Sequence, residues 1–245
     1  MLLVDVHAHL DLTADLPAVL ERAKSAGVKS IISNGVNPVT NRVTLELAKT
    51  NPLVKAAIGI YPTEAALLTG HEITEELDFI SKHKSSIVGI GEIGLDYLKT
   101  EDKVIQTQIF RQQLEMAHKI GKPVIVHSRK AESDVTEILS SYKLKVIMHC
   151  CMGNMKVIKK GLDQGFLYSI PALVNKSSHF QALVERASLS QLLTETDAPF
   201  LSPDKDLRSE PAMVRGSIEQ IASIKKITPE ECANIIFSNY QKTFK

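Results

Sequence analysis

The chain repeats one pattern: a short apolar run rich in Val and Ile, then a helix-length mixture of polar and apolar residues. The runs fall at 2–9, 28–34, 54–61, 87–92, 123–127, 145–150, 166–170 and 192–197, with no hairpin turns between them. Near-continuous apolar runs are expected of parallel strands covered on both faces, and their alternation with helices defines an α/β chain. Phe110, Leu114 and Ala117 stand at helical spacing, and Gly121 and Pro123 end that helix before the next run. Thr228-Pro229-Glu230-Glu231 announces the last helix as a capping box with Pro in its first turn. Eight strand-helix units in 245 residues predict a single (β/α)8 TIM barrel over 1–245.

A doubly wound open sheet is the rival arrangement. Polar residues weigh against it: charged or imidazole side chains close the first, fourth, fifth, sixth and eighth runs. In a barrel those ends converge on one mouth, whereas in an open sheet they would be strung along an edge.

Composition narrows the function. At 44% hydrophobic and 23% charged residues the chain can bury a core, which excludes disorder. Lys+Arg 29 against Asp+Glu 28 gives a formal charge of +1, so no broad basic face is available to grip a long duplex. Aromatics at 5% without Trp argue against a pure single-strand binding module. Three Cys without C-x-x-C encode neither a disulfide framework nor a thiolate zinc knuckle. The start MLLVDVHAHL lacks a basic n-region, and no uncharged apolar run approaches the ~18 residues of a membrane span. A cytoplasmic protein without membrane partners is expected; the sequence is silent on oligomeric state.

The chemistry lies in six residues. His7 and His9 stand two apart on a strand, so both imidazoles face one side. Glu92 lies in the fourth run between Gly91 and Gly94, which remove bulk at a barrel mouth. His127 and His149 end Pro-Val-Ile-Val-His and Val-Ile-Met-His, and Asp197 closes the set in Thr-Glu-Thr-Asp-Ala-Pro. Each alone has an ordinary explanation, a satisfied strand-end His or a turn carboxylate; together they make coincidence improbable. Four His and two carboxylates shared between two divalent ions leave open positions, the mark of catalysis rather than scaffolding. The mixed shell suits Zn²⁺ or Mn²⁺ and tolerates Mg²⁺.

His7-Ala-His9-Leu-Asp11, Gly91-Glu92-Ile-Gly94-Leu-Asp96-Tyr97, Pro123-Val-Ile-Val-His127-Ser-Arg129, His149-Cys150, Glu195-Thr-Asp197-Ala-Pro199 and Arg208-Ser-Glu210-Pro211 together resemble the TatD family of metal-dependent DNases. That family belongs to the amidohydrolase superfamily of barrels. The resemblance implies a phosphodiesterase acting on DNA, often an exonuclease on single strands, with nucleic acid as its partner. It also implies His7, His9, Glu92, His127, His149 and Asp197 as ligands, with Glu92 bridging two ions. Departures from the family pattern are Tyr61 where Gly-x-His-Pro is usual, Cys151-Met152 after the sixth run, Lys130 in place of an acid, and Asn175-Lys176 without a preceding aromatic. They bear on substrate choice rather than on the ligands.

The expected mechanism is attack on phosphorus by water that one metal has made acidic, while the second neutralises developing charge. Asp197 is the expected general base, with Glu92 beside it as the second catalytic carboxylate. Arg129, Lys176 and Arg208, on loops after the fifth, seventh and eighth runs, are the expected phosphate contacts. The alternative enzyme is a sister amidohydrolase cutting an amide, lactone or aminoacyl bond; many of these bridge their metals with a carboxylated Lys, which the fourth run does not offer. A metal-binding structural protein is the non-enzymatic alternative. Gly89-Ile-Gly91-Glu92-Ile-Gly94 fits G-x-G-x-x-G but is not followed directly by a helix, so a dinucleotide site is not expected. Cys150 and Cys151 read as thiols without a base, and His71, His83, His118 and His179 as residues outside the site.

Overall fold

A computed structural model describes residues 1–99 and 102–244. Eight strands form one sheet in sequence order: β1 (Leu3–Ala8), β2 (Val28–Asn34), β3 (Val54–Ile58), β4 (Gly89–Asp96), β5 (Val124–Arg129), β6 (Val146–His149), β7 (Leu167–Pro171) and β8 (Leu192–Glu195). Every adjacent pair is parallel, with helices between, so the (β/α)8 TIM barrel expected from the sequence is the architecture. The strands are buried almost throughout because the helices cover their outer face; Phe110, Leu114 and Ala117 on the helix Lys103–Ile120 are 0–1% exposed. The capping box forms, with Glu231 N donating to Thr228 Oγ1 at 3.2 Å. No helix among the described residues is long and apolar enough to cross a membrane.

Between β8 and β1 the barrel is closed mainly by single bonds. The one bridge pairs Ala8 with Ala198, supported by His9 N to Ala198 O at 2.6 Å and Asp197 N to His7 O at 2.9 Å. Asp5 supplies much of the remainder: one carboxylate oxygen accepts from His7 N (3.2 Å) and Thr196 N (3.1 Å), the other from the Thr196 hydroxyl. Thr194 Oγ1 adds a bond to Val4 O.

Most strand ends shift by one or two residues from the sequence reading, β8 stopping at Glu195 before Asp197, and two strands depart further. β3 stops at Ile58, three residues before Tyr61, because side-chain amides take over the backbone beyond it. Asn41 brackets Gly59 and Gln113 brackets Ile60, each through both its donor and its acceptor. β4 runs on to Asp96, so Glu92 lies inside the strand and not at its end. Ile90 pairs with Val124 and Ile93 with Val126, leaving two residues, Gly91 and Glu92, opposite Ile125 alone. Such a bulge re-aims a side chain within a ladder.

The glycines beside Glu92 serve backbone approach. A Cβ on Gly91 would stand 2.8 Å from Ile125 Cβ. Gly94, at φ +145°, presses on the His127 carbonyl, leaving no room for a side chain.

Candidate metal centre

All six residues meet at the C-terminal mouth of the barrel. His7 Nε2 and His9 Nε2 are 3.3 Å apart. Glu92 Oε2 lies 3.6 Å from His7 Nε2 and 3.4 Å from His9 Nε2, and Asp197 Oδ1 lies 3.5 and 3.4 Å from the same nitrogens. Four donors held about 2.0–2.1 Å from one ion at tetrahedral angles stand roughly 3.3–3.4 Å apart. The five separations nearly reproduce that spacing, so His7 and His9 stand at ligand spacing from each other and from either carboxylate oxygen. The other oxygen of Glu92, Oε1, faces a second group: His127 Nδ1 at 2.9 Å and His149 Nε2 at 3.8 Å. His149 also stacks on His7 with ring centroids 3.6 Å apart. Two sets of mutually close donors result, His7/His9/Asp197 and His7/Glu92/His149, with His127 reached through Glu92.

Three of the four imidazoles are aimed by what the other nitrogen touches, as metal-ligating histidines generally are, whereas the buried Nδ1 of His7 has no hydrogen-bond partner among the described residues. His9 Nδ1 donates to the Asn34 carbonyl at 3.0 Å, and His149 Nδ1 donates to Glu195 Oε2 at 2.8 Å. Glu195 is fully buried and also accepts from Ser169 Oγ. His127 Nε2 donates to Asp96 Oδ2 at 3.2 Å. That oxygen also accepts from Tyr61 OH at 3.1 Å, while Asp96 Oδ1 takes the backbone N–H of Leu98 and Lys99.

Packing imidazoles against carboxylates moves their protonation. Burial alone would pull His7 and His9 down, but the neighbouring Glu92 and Asp197 outweigh it, holding His7 well above its ordinary value and His9 at about 9. His127 rises to about 8 for the same reason: burial opposes, and Asp96 and Glu92 prevail. Burial would raise Glu92 and Asp197, yet the imidazoles hold both below the usual carboxylate range. Asp96, against His127, falls to about 2 despite its partial burial. Without a metal the cluster is therefore a proton-filled ion-pair network, in which protons occupy the positions that a cation would take.

The cluster floors an open cleft of about 570 Å³. Arg129 lines it, as expected. Lys176 and Arg208 do not: Lys176 Nζ donates to the Pro203 carbonyl at 2.6 Å, which ties it to the loop after β8, and Arg208 is exposed further along that loop. Within the Arg208-Ser-Glu210-Pro211 motif, Glu210 is committed to a bidentate pair with Arg22. Lys99 and Phe200 line the cleft although the sequence reading gave them no part, and Met152, one of the departures from the family pattern, lines it as well. Lys122, a conceivable bridging lysine, donates its Nζ to the Ile87 carbonyl. The glycine-rich stretch 89–94 lies entirely within β4, and the three Cys are free thiols.

An imidazole and carboxylate cluster at the C-terminal mouth of a (β/α)8 barrel defines the class of metal-dependent hydrolase barrels. Within that class the chain belongs to the TatD-related DNase family, whose model matches residues 4–245. It is 34% identical to the uncharacterized metal-dependent hydrolase YabD of Bacillus subtilis, covering 100% of this chain and 99% of that protein. It is 31% identical to deoxyribonuclease TATDN3 of Homo sapiens, covering 99% and 94%. Among solved structures, the TatD homologue YJJV of Escherichia coli shares the fold with a TM-score of 0.91 at 24% identity, over 99% of this chain and 97% of that one.

Proposed function

We propose that this protein is a deoxyribonuclease that hydrolyses phosphodiester bonds of single-stranded DNA from an end. Two divalent ions, Zn²⁺, Mn²⁺ or Mg²⁺, would be held by His7, His9, Glu92, His127, His149 and Asp197. The observation that carries this reading is the division of Glu92: Oε2 serves one donor set and Oε1 the other. Ions bound there would acidify water and neutralise charge developing on a phosphoryl group.

The protein's own residues supply the rest. Asp197, held ionised by His7 and His9, accepts the proton of the attacking water and orients it. Glu92 fixes the spacing of the two donor sets. Arg129, at the end of β5, offers a bidentate cation to a substrate phosphate. A cleft of about 570 Å³ is in the range of pockets that enclose a small ligand, which favours a strand end over the interior of a duplex. The relative named deoxyribonuclease in Homo sapiens supports DNA as the substrate class. Lys122, tied to Ile87 at the base of the sheet, is not placed to serve as the carbamate bridge of a sister amidohydrolase.

The test is digestion of end-labelled single-stranded DNA with Mg²⁺, Mn²⁺ and Zn²⁺ in turn, with Asp197→Asn alongside. Stepwise shortening by the natural protein and none by the variant is the expected result. Two bound metals with DNA left intact by both proteins would overturn the assignment.

A further inference from the structure

Phe200 is half exposed at 50%, although it belongs to the turn that carries Asp197. Its ring stands edge-on to His9, with centroids 5.9 Å apart and planes at 66°. Leu12, from the turn that follows His9, and Met152 line the same cleft at 49% and 55% exposure. Large apolar side chains left open beside buried ionised groups mark a surface that something apolar covers. Around His127 the cleft wall has a different character. Tyr61 lies with its ring centroid 4.9 Å from that of His127, Lys99 Nζ sits 5.7 Å from the Tyr61 ring, and Arg129 lines the cleft nearby.

The cleft thus presents Phe200, Leu12 and Met152 on the side of His9, with the Asp11 carboxylate also in its lining, and Lys99 and Arg129 on the side of His127. The aromatic side is also rigidly mounted. Phe200 N donates to Asp197 O at 2.7 Å, Ser209 N donates to Pro199 O at 3.2 Å, and Ser209 Oγ donates to Thr196 O at 3.1 Å. These bonds fix the backbone of the turn that carries both Asp197 and Phe200, so the ring is presented from an ordered backbone and stacking has less ordering to oppose it.

We infer that Phe200, flanked by Leu12 and Met152, is a nucleobase-stacking subsite, and that Lys99 and Arg129 receive the neighbouring phosphate of the strand. This rests on the nuclease reading and specifies its substrate: a nucleotide whose base lies on Phe200 while its phosphate lies over the Glu92 cluster. Stacking on a single aromatic face accepts any base, so the subsite recognises a base without choosing among them.

The experiment is calorimetric titration of the Mn²⁺-loaded protein with 2′-deoxyadenosine 5′-phosphate and with 2-deoxyribose 5-phosphate, which lacks the base. The nucleotide should bind roughly 5- to 150-fold more tightly. Phe200→Ser should erase that margin while leaving the sugar phosphate's affinity unchanged, and Phe200→Trp should keep it. Thermal unfolding of both variants establishes that they are folded. A margin that is absent, or that survives Phe200→Ser, overturns the subsite. Digestion of single-stranded DNA by the same samples separates the two ideas. Cleavage without a margin overturns the subsite and leaves the nuclease, a margin without cleavage overturns the nuclease and leaves the subsite, and neither result overturns both.

Discussion

His149 and Glu195 are joined at 2.8 Å, Nδ1 to Oε2, and this bond turns the His149 Nε2 toward Glu92. Glu195 has no solvent contact, and its other strong partner is the Ser169 hydroxyl, so it acts on the cleft through His149. Glu195→Gln should lower metal affinity by about 10- to 100-fold, the usual cost of losing such an outer partner. Calorimetric titration with Zn²⁺ or Mn²⁺ checks it; unchanged affinity at both sites would remove Glu195 from the ligand framework.

Metal uptake should release protons. His9 at about 9 and His127 at about 8 are charged at neutral pH in the metal-free protein, and ligation requires them neutral. Apparent affinity should rise from pH 6.5 to 9. Titrations in buffers of different ionisation enthalpy should report proton release that falls toward zero above pH 9.

The metal-free protein should also have a characteristic stability profile. His7, His9 and His127 have folded pKa values above their unfolded one, so their contribution is complete below about pH 6.5 and is lost as pH rises through 8 to 9. Burial lifts Asp5 to about 7, which adds a loss of the same sign between about pH 4 and 7. Glu92 and Asp197 are depressed, so their contribution is present above about pH 4 and is lost on acidification. Denaturant midpoints should therefore fall between pH 6.5 and 9 without metal, and saturating metal should remove most of that fall.

Asp5→Ala should destabilise the protein by about 3 kcal/mol, because His7 N, Thr196 N and the Thr196 hydroxyl lose their buried acceptor together. Urea unfolding measures this. Metal affinity should drop as well, since the same bonds hold β1 against the turn that carries Asp197.

Tyr61→Phe should cost about 1 kcal/mol, because it removes one of several donors to Asp96 and leaves the His127 bond in place. Metal stoichiometry should not change. A lost metal equivalent would mean that the phenol, whose oxygen also stands 3.1 Å from His127 Nε2, positions that ring.

Much of this was legible in the sequence because it depends on short periods. Near-continuous apolar runs marked the eight strands, and each of the six polar residues lay in or at the end of a run. The outer partners were equally local but went unassigned. Asp96 lies four residues beyond Glu92 on the same strand, a spacing that places strand residues on one face, and Glu195 ends β8 two residues before Asp197. The bulge at Gly91 and Glu92 left no such trace, since it is a register between two strands. Lys176 and Arg208 failed to reach the cleft for a related reason: no short-range pattern states which way a loop cation turns.

The seam between β8 and β1 has a temporal consequence. Asp197 and the Thr196 that Asp5 grips leave the ribosome close to two hundred residues after His7 and His9. A growing chain therefore carries two imidazoles without the Asp197 carboxylate that opposes them, until the eighth strand and the turn after it dock. The cluster is complete only once that strand has docked, which keeps the centre silent in any chain that has not yet reached it.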